Sequence, residues 1–211
     1  MRRRVLIADD HPLVRDALRM AIMTKFPGLV VDEAIGIEPA ERIVRAHRDI
    51  ALLLLDYQLP DSDGFSGFFR LQHALGDVPI AIISAFDDGR IVSAARAVGA
   101  AGFLSKSQPL DEIAAGIEKL LAGQTVFPPA VGTSDDLQQM SARLETLSSA
   151  QKRVAAALVS GHLNKQIAAD LDISEATVKA HLTAIFRKLR VPNRLQAILA
   201  VKPLLAPDAD G

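Results

Sequence analysis

Acidic and polar side chains stand at the ends of several apolar runs in the first half of the chain. Asp9 and Asp10 follow the first run, Asp56 ends the third, Ser84 ends the fourth and Lys106 follows the fifth. Carboxylates that converge repel one another, and they stay ionised only when a cation lies among them. Hard oxygen ligands of this kind, with water completing an octahedron, suit Mg²⁺.

The same residue types also serve phosphoryl transfer. A carboxylate attacks phosphorus while a metal ion and a lysine neutralise the charge on the phosphoryl oxygens. Lys106 suits the role of that lysine, and the Ser84 hydroxyl suits a hydrogen bond to a phosphoryl oxygen. We predict Asp56 as the nucleophile because the run before it is the most apolar, which favours a central strand.

An alternation of apolar runs and helical patterns supplies the elements that position these residues. The run Leu52–Leu55 has no polar position, which is typical of a parallel strand that is buried on both faces. On the first helix, Leu13, Ala17, Met20 and Ala21 share one face. We predict an α/β fold with a five-stranded, doubly wound parallel sheet, in which ligands bind beyond the carboxyl ends of the strands. The strands are predicted at 4–8, 30–34, 52–56, 80–84 and 102–104, and the helices at 12–23, 39–47, 65–75, 89–98 and 110–121.

Four stretches in this order resemble the receiver domain of two-component response regulators. They are residues 5–15 (VLIADDHPLVR), residues 56–64 (DYQLPDSDG), Ser84-Ala85 and residues 99–106 (GAAGFLSK). The resemblance implies a flavodoxin-like fold and an Asp56 that is phosphorylated by a histidine kinase. It further implies Mg²⁺ ligation by Asp9, Asp10, Asp56 and the Gln58 carbonyl, and a switch in which Phe103 turns inward with Ser84 beside Lys106.

Other interpretations exist for single residues of this region. The acids at the strand ends are also common as helix caps or turn residues. Residues 61–64 most resemble a turn, because the later ligands of a calcium loop do not follow. His11 is read as a loop residue, and zinc is rejected because no second histidine stands at ligand spacing. Ser107 replaces the proline that often follows the lysine in receivers, so we expect a different loop path there.

The second half of the chain predicts helices only. Gly161 should stop one helix, Asn164 should cap the next, and Ser174 should cap a longer helix that runs to about Arg190. Two helices joined by a short turn, the second of them longer, form a helix-turn-helix.

The longer helix separates into an apolar face and an open face at about 100° per residue. Val178, Leu182, Ile185 and Leu189 share the apolar face. The open face suits the major groove, where a lysine contacts guanine and an alanine or a threonine contacts a thymine methyl. We predict base contacts from Lys179, Ala180 and Thr183, and phosphate contacts from Lys165, Thr177, Arg187, Lys188 and Arg194. A plain solvated helix face is the alternative.

Residues 164–168 (NKQIA), 173–182 (ISEATVKAHL) and 187–189 (RKL) resemble the LuxR/NarL-type output domain. The resemblance implies DNA as a partner, and a homodimer on paired half-sites, with Ile198, Leu199 and Val201 as a plausible contact. The start of the domain departs from the family, since Gln151 stands where a glutamate is usual. We therefore expect the first helix of this domain to be less firmly fixed.

Composition adds exclusions. The 211 residues contain no cysteine, which excludes disulfides and thiolate catalysis, and aromatics make up 4%, which disfavours base-stacking platforms. The net charge of −1 hides an asymmetry, because residues 1–130 carry −3 and residues 147–202 carry +6. That balance permits docking of one domain on the other. The first ten residues lack the apolar stretch of an export signal and no run could span a membrane, so we expect a cytoplasmic protein.

Together these observations predict a transcriptional response regulator that is switched by Mg²⁺-dependent phosphorylation and is not an enzyme in the ordinary sense. Two alternatives remain. One is a phosphorylation-independent regulator whose receiver binds proteins, and the other is an aspartyl-nucleophile phosphatase. Gln58 argues against the phosphatase, because that class has a second aspartate at this position. The predicted divisions are a receiver at 1–122, a linker at 123–146 that is part helical, a DNA-binding domain at 147–203 and a polar tail at 204–211.

Overall fold

The computed structural model describes residues 3–62, 64–85, 89–128 and 135–205. Asp63, Asp87, Asp88 and most of the predicted polar tail lie outside the described residues. Contacts divide the chain into two compact units. The first contains residues 1–88 and 100–129, and the second contains residues 89–99 and 130–211.

The first unit is built on one five-stranded sheet in the order β2-β1-β3-β4-β5, and every pairing in it is parallel. This confirms the predicted α/β sheet, with the strand that ends in Asp56 at its centre. The strands are β1 Arg4–Ala8, β2 Val30–Ala34, β3 Ile50–Asp56, β4 Ile80–Ser84 and β5 Gly102–Ser105. The helices between and after them are α1 Pro12–Lys25, α2 Ile37–Ala46, α3 Ser66–Leu75, α4 Gly89–Val98 and α5 Leu110–Leu121.

The helix α1 faces the sheet with a different side from the one that its apolar spacing suggested. Leu13 is 84% exposed and Met20 is 67% exposed, whereas Leu18 and Ile22 are fully buried. The helix carries apolar residues on more than one side, so periodicity alone does not select the side that packs. The side of α1 that packs is determined by its contacts with α5 and with the strands.

The edge of the sheet continues past the predicted end of the receiver. The Phe103 amide donates to the Val126 carbonyl at 2.7 Å, and the Val126 amide donates to the Ala101 carbonyl at 3.1 Å. Gly102 permits this approach, since a β-carbon there would lie 2.7 Å from the Val126 carbonyl oxygen. The segment after α5 therefore protects an edge strand, and the predicted linker loses its first residues to the first unit.

The second unit is helical. Its helices after α4 are α6 Asp135–Glu145, α7 Ser149–Val159, α8 Asn164–Asp170, α9 Glu175–Leu189 and α10 Arg194–Leu205. The predicted receiver helix α4 groups with this unit by its contacts, and the Ser141 hydroxyl donates to the Ser93 carbonyl at 3.2 Å. The helix α6 lies within the segment that the sequence assigned to the linker.

Local signals at the helix ends explain most boundaries of this unit. Ser174 caps α9 by accepting from the Thr177 amide at 3.1 Å, and Gly161 has a positive φ of 82° just after α7. The prediction that Asn164 caps α8 is wrong. Leu163 holds that position, and its amide is bound by the Gln166 side chain at 2.7 Å. No helix among the described residues is long and apolar enough to cross a membrane.

Candidate functional site

Two buried carboxylates share one lysine at the carboxyl edge of the sheet. Lys106 Nζ lies 2.7 Å from Asp9 Oδ2 and 2.8 Å from Asp56 Oδ2. Asp9 is fully buried and Asp56 is nearly so. The parallel order β1-β3-β4-β5 brings the ends of these strands together, so the structure assembles the residues that the sequence placed at strand ends.

Asp10 and His11 form the open side of this acidic pocket. Asp10 is exposed, and its Oδ1 lies 2.7 Å from His11 Nδ1. The same nitrogen is 3.3 Å from Asp9 Oδ1 and 4.0 Å from Asp56 Oδ2. The pocket therefore has a buried floor and an open mouth that a small ion or a phosphoryl donor can enter.

Burial raises the pKa of Asp56 above its ordinary value, although the hydrogen bond and the charge of Lys106 act in the opposite direction. The nearby Asp9 carboxylate also raises the pKa, and the Gln58 amide, which donates to Asp56 Oδ1 at 3.3 Å, lowers it. A carboxylate that is costly to ionise gains more than a solvated one when a cation is added beside it.

The backbone around both carboxylates is fixed by long-range contacts. Arg15 donates from Nη1 to the Asp9 carbonyl at 2.7 Å, and its Nε lies 3.3 Å from Glu33 Oε2. Asp61, in the loop after β3, accepts from the amides of Ile37 and Glu38 at 3.0 and 3.1 Å. The loop that begins at Asp56 is thereby tied to the first turn of α2.

Ser107 stands in a loop that side chains hold in place. The hydroxyls of Ser105 and Ser107 lie 2.7 Å apart, and the Ser107 amide donates to Ser105 Oγ at 3.2 Å. Gln108 Oε1 accepts from the Ser105 amide at 3.1 Å. These bonds fix the residues on both sides of Lys106.

The predicted switch residues, Ser84 and Phe103, lie on two neighbouring strands of the sheet. Ser84 is buried at the end of β4, and its carbonyl accepts from the Lys106 amide at 2.7 Å. Phe103 is buried on β5. The sequence is also compatible with Phe103 as an ordinary residue of the hydrophobic core, and the burial of its side chain agrees with this interpretation.

The donor set of the pocket fits a hard divalent cation. Three carboxylates face a single lysine, so the cluster keeps an excess of negative charge, and oxygen ligands are those that Mg²⁺ prefers. Asp9, Asp10 and Asp56 are the side chains that would hold it.

The helix α9 presents an exposed polar face in the second unit. Lys179, Ala180, Thr183 and Arg187 are all exposed, as their spacing predicted, and Lys165 is exposed on α8. On the opposite side Val178, Leu182, Ile185 and Leu189 are buried. The Thr177 hydroxyl lies 2.8 Å from the Ser174 hydroxyl at the start of the helix.

Two of the cations that were predicted to contact phosphate make internal bonds. Lys188 Nζ donates to the Thr146 carbonyl at 2.7 Å and to Gln151 Oε1 at 2.9 Å. Arg194 donates to the His162 carbonyl at 2.5 Å and to Asn164 Oδ1 at 3.2 Å. These contacts give Lys188 and Arg194 a structural role that helical arithmetic on α9 could not reveal.

Gln151 also holds α7 more fully than its sequence suggested. Its Oε1 accepts from the Ser148 amide at 3.1 Å, while the Ser148 hydroxyl accepts from the Gln151 amide at 3.3 Å. This reciprocal pair is a capping box. The residues Ser148 and Gln151 at their three-residue spacing were the signal that could have predicted it.

Comparisons with known proteins agree with the two-part architecture. The model of the response regulator receiver domain matches residues 5–118, and that of the bacterial regulatory proteins of the luxR family matches residues 145–201. The chain is 38% identical over 207 residues to a glycerol metabolism activator of Pseudomonas putida, covering 93% of this chain and 94% of that protein. It is 33% identical over 199 residues to a probable transcriptional regulatory protein NarL of Mycobacterium tuberculosis, covering 92% and 91%.

A solved structure of two RcsB dimers bound to two parallel DNAs shares the fold. Its TM-score is 0.57 at 22% identity, and the match covers 96% of this chain and 98% of that one. The receiver model thus matches the part of the chain that contains the parallel sheet, and the luxR-family model matches the helical part that follows it. The chain belongs to the response regulators that join a receiver domain to a DNA-binding domain of the luxR family.

Proposed function

We propose that this transcriptional response regulator is switched by phosphorylation of Asp56, with a sensor histidine kinase as the donor and Mg²⁺ as the cofactor. The observation that carries the proposal is the cluster of Asp56, Asp9 and Lys106, in which one lysine lies within 2.8 Å of two buried carboxylates. Such a cluster needs more positive charge, and a phosphoryl-transfer site supplies it with a metal ion.

The chemistry follows from the positions of the side chains. An Asp56 carboxylate oxygen forms a bond to phosphorus as the bond from phosphorus to the donor nitrogen breaks, and the histidine of the kinase leaves. Lys106 and the Ser84 hydroxyl bind the oxygens of the transferred group. Asp9, Asp10, Asp56 and the Gln58 carbonyl would hold the metal ion, which would neutralise charge on the phosphoryl oxygens. Phe103 then follows Ser84 in a local rearrangement of the ends of β4 and β5.

Acetyl phosphate tests the acceptor directly. The full chain incubated with acetyl phosphate and Mg²⁺ should gain one phosphoryl group by intact mass, and Asp56→Asn should gain none. Asp61→Asn is a matched control, because it removes a carboxylate from the same loop and should still be phosphorylated. A wild-type chain without added mass, together with an Asp56→Asn variant that stays fully active in cells, would support the phosphorylation-independent alternative.

We infer that the pocket does not turn over substrates as a phosphatase does. Gln58 stands where an aspartyl phosphatase has its second acid, so the site has no general acid at that position for a leaving alcohol. A phosphomonoesterase assay with multiple turnover by the wild type, abolished in Asp56→Asn, would reverse this assignment.

We propose that α9 reads DNA through Lys179, Ala180 and Thr183. The phosphate contacts that the geometry favours are Lys165 and Arg187, since both are exposed. Thr177, Lys188 and Arg194 were also predicted from the sequence to contact DNA phosphates, and each of them makes an internal contact in the structure. DNA as the partner agrees with a cytoplasmic location.

Two exposed cations on α9 provide a matched test. Lys179→Ala should relax the base preference at one position of the site, by about 1–3 kcal/mol of discrimination. Arg187→Ala should weaken binding to all sequences and lower the slope of log K against log salt by about 1. Binding to selected and random duplexes at several salt concentrations separates the two effects, and equal behaviour of both variants would contradict the assignment of the faces.

We propose a homodimer on paired half-sites as the DNA-bound form, in keeping with the dimers that the RcsB structure describes for that protein. Of the residues predicted for the dimer contact on α10, Leu199 is a better candidate than Val201, because Leu199 is 57% exposed whereas Val201 is buried within its own unit. Leu199→Asp should lower affinity for a paired site more than for a single half-site in a mobility-shift titration. Equal loss on both sites would place the dimer contact elsewhere.

A further inference from the structure

His11 brings a nitrogen atom to the acidic pocket. Its Nδ1 lies 2.7, 3.3 and 4.0 Å from oxygens of Asp10, Asp9 and Asp56, respectively. Four ligand atoms, one from each of these residues, lie within 4.8 Å of one another. The ring is 64% exposed, so it stands at the mouth of the pocket, whereas Asp9 and Asp56 form its floor.

The contacts of His11 Nδ1, which are those of a hydrogen-bonded and ion-paired imidazole, also have lengths close to the separations between ligands of a single small ion. Ligands about 2.1 Å from an octahedral metal lie about 3.0 Å apart when adjacent and about 4.2 Å apart when opposite. The distances from His11 Nδ1 to Asp10 and Asp9 are close to the first value. The distance to Asp56 is close to the second. His11 therefore needs no large movement to join the carboxylates as a ligand.

The backbone holds His11 in this position. The His11 amide donates to Asp9 Oδ1 at 2.8 Å, and the His11 carbonyl accepts from the Arg15 amide at 3.2 Å in the first turn of α1. Pro12 follows at the first helical position and restricts the chain further. His11 can therefore move only by rotation of its side chain, and its ring already faces the carboxylates.

A nitrogen donor changes which ion the pocket prefers. Mg²⁺ takes oxygen ligands and releases its water reluctantly, whereas imidazole suits the first-row transition metals, whose affinity rises from Mn²⁺ towards Cu²⁺. We propose that His11 is a metal ligand that makes this pocket a mixed nitrogen and oxygen site, selective for Mn²⁺ and later first-row divalent ions over Mg²⁺. This inference rests on the proposed function, because the ion occupies the pocket of Asp56.

Manganese is the probe that tests it, since bound and free Mn²⁺ differ in their electron paramagnetic resonance. The metal-free full chain is titrated with Mn²⁺, and bound Mn²⁺ is then displaced with Mg²⁺ to give both affinities. Electron spin echo modulation reports whether a nitrogen nucleus is coordinated to the bound ion. The variants are His11→Ala and His11→Asn, and the second keeps a residue that is favoured at a helix N-cap.

The wild type should show nitrogen modulation, and both variants should lose it. Their Mn²⁺ affinity should fall by at least about tenfold, which is the loss that removal of even an outer-shell partner causes. Their Mg²⁺ affinity should stay within a factor of about two, because the oxygen ligands remain. His47→Ala is the matched control, since it removes an imidazole from the same unit and should leave both affinities unchanged.

The outcomes distinguish this inference from the function on which it rests. Nitrogen modulation that survives in His11→Asn, or an equal loss of Mn²⁺ and Mg²⁺ affinity, overturns the role of His11 while phosphorylation of Asp56 by acetyl phosphate persists. Failure of the wild type to bind either ion or to gain phosphoryl mass overturns the proposed function and this inference with it.

Discussion

Replacing Gln151 with glutamate should stabilise the second unit. The Gln151 side-chain oxygen already accepts from the Ser148 amide and from the Lys188 ammonium. It does so as a neutral amide in the first turn of α7, which contains no acidic residue. A carboxylate of the same length and position would make both bonds charge-assisted, and such bonds are roughly twice as strong as neutral ones.

The magnitude follows from two contributions. A negative charge in the first turn of a helix contributes about 0.3–1 kcal/mol through the helix dipole. A partly exposed ion pair with Lys188 contributes about 0.2–1 kcal/mol. We expect about 1 kcal/mol in total, which corresponds to a rise of about 4–8 °C in the unfolding temperature of a small domain.

Differential scanning calorimetry of the full chain measures the change, with Gln166→Glu as the matched control. Gln166 occupies the same position in α8 and accepts from the Leu163 amide at 2.7 Å, so its replacement isolates the dipole contribution. The contribution of the ion pair is isolated in a double-mutant cycle, in which Lys188→Met is added to the wild type and to the Gln151→Glu variant. The gain of Gln151→Glu should exceed that of Gln166→Glu, and the excess should shrink at high salt.

The pH dependence has a definite sign. A carboxylate with these partners has a lower pKa in the folded state, so its contribution is present above the ordinary glutamate pKa of about 4.3 and is lost as the pH falls through the folded value. An unchanged unfolding temperature at neutral pH would refute the cap geometry. A gain that is the same with and without Lys188 would refute the contact between the two side chains.

Two further predictions concern the first unit. Asp61→Ala should lower the free energy of unfolding by about 1 kcal/mol, because it removes the acceptor for the amides of Ile37 and Glu38, and urea unfolding should show Asp61→Asn losing less. Asp56→Asn should stabilise the metal-free chain at neutral pH, because burial raises the pKa of Asp56 and folding then disfavours its charged form. This advantage should be absent below pH about 3.9, where Asp56 is neutral in both states, should grow as the pH rises from there to the folded pKa, and should stay constant above it. A difference in unfolding free energy between Asp56→Asn and the wild type that grows as the pH falls would contradict the reasoning.

The sheet and the floor of the acidic pocket were predictable from the sequence because their signals are local. Unbroken apolar runs such as Leu52–Leu55 indicate buried parallel strands, and the carboxyl ends of parallel strands meet at one edge. Asp9, Asp56 and Lys106 therefore come together as the sequence predicted.

Contacts between distant segments were not predictable in this way. Asp61 reads as a turn residue in sequence, yet it caps a helix that begins 24 residues earlier. Lys188 reads as a free cation beside Arg187, but its ammonium is bound by residues about 40 positions earlier in the chain. Spacing along one helix shows which face is open, but it does not show what another helix brings to that face.

Lys106, whose ammonium group offsets part of the negative charge of the pocket, also connects β5 to β4. Lys106 Nζ is shared by Asp9 and Asp56, while its backbone amide donates to the Ser84 carbonyl at 2.7 Å. A phosphoryl group on Asp56 would add negative charge on one side of the lysine only, and the position of Nζ between the two carboxylates would then no longer be the most favourable one. Because Ser105 is hydrogen-bonded to the loop that follows it, a movement of Lys106 towards a phosphoryl group would act on β5 and, through the Ser84 carbonyl, on β4. If Asp56 is phosphorylated as proposed, the ammonium group of Lys106 would couple that step to the ends of β4 and β5, where Ser84 and Ser105 lie.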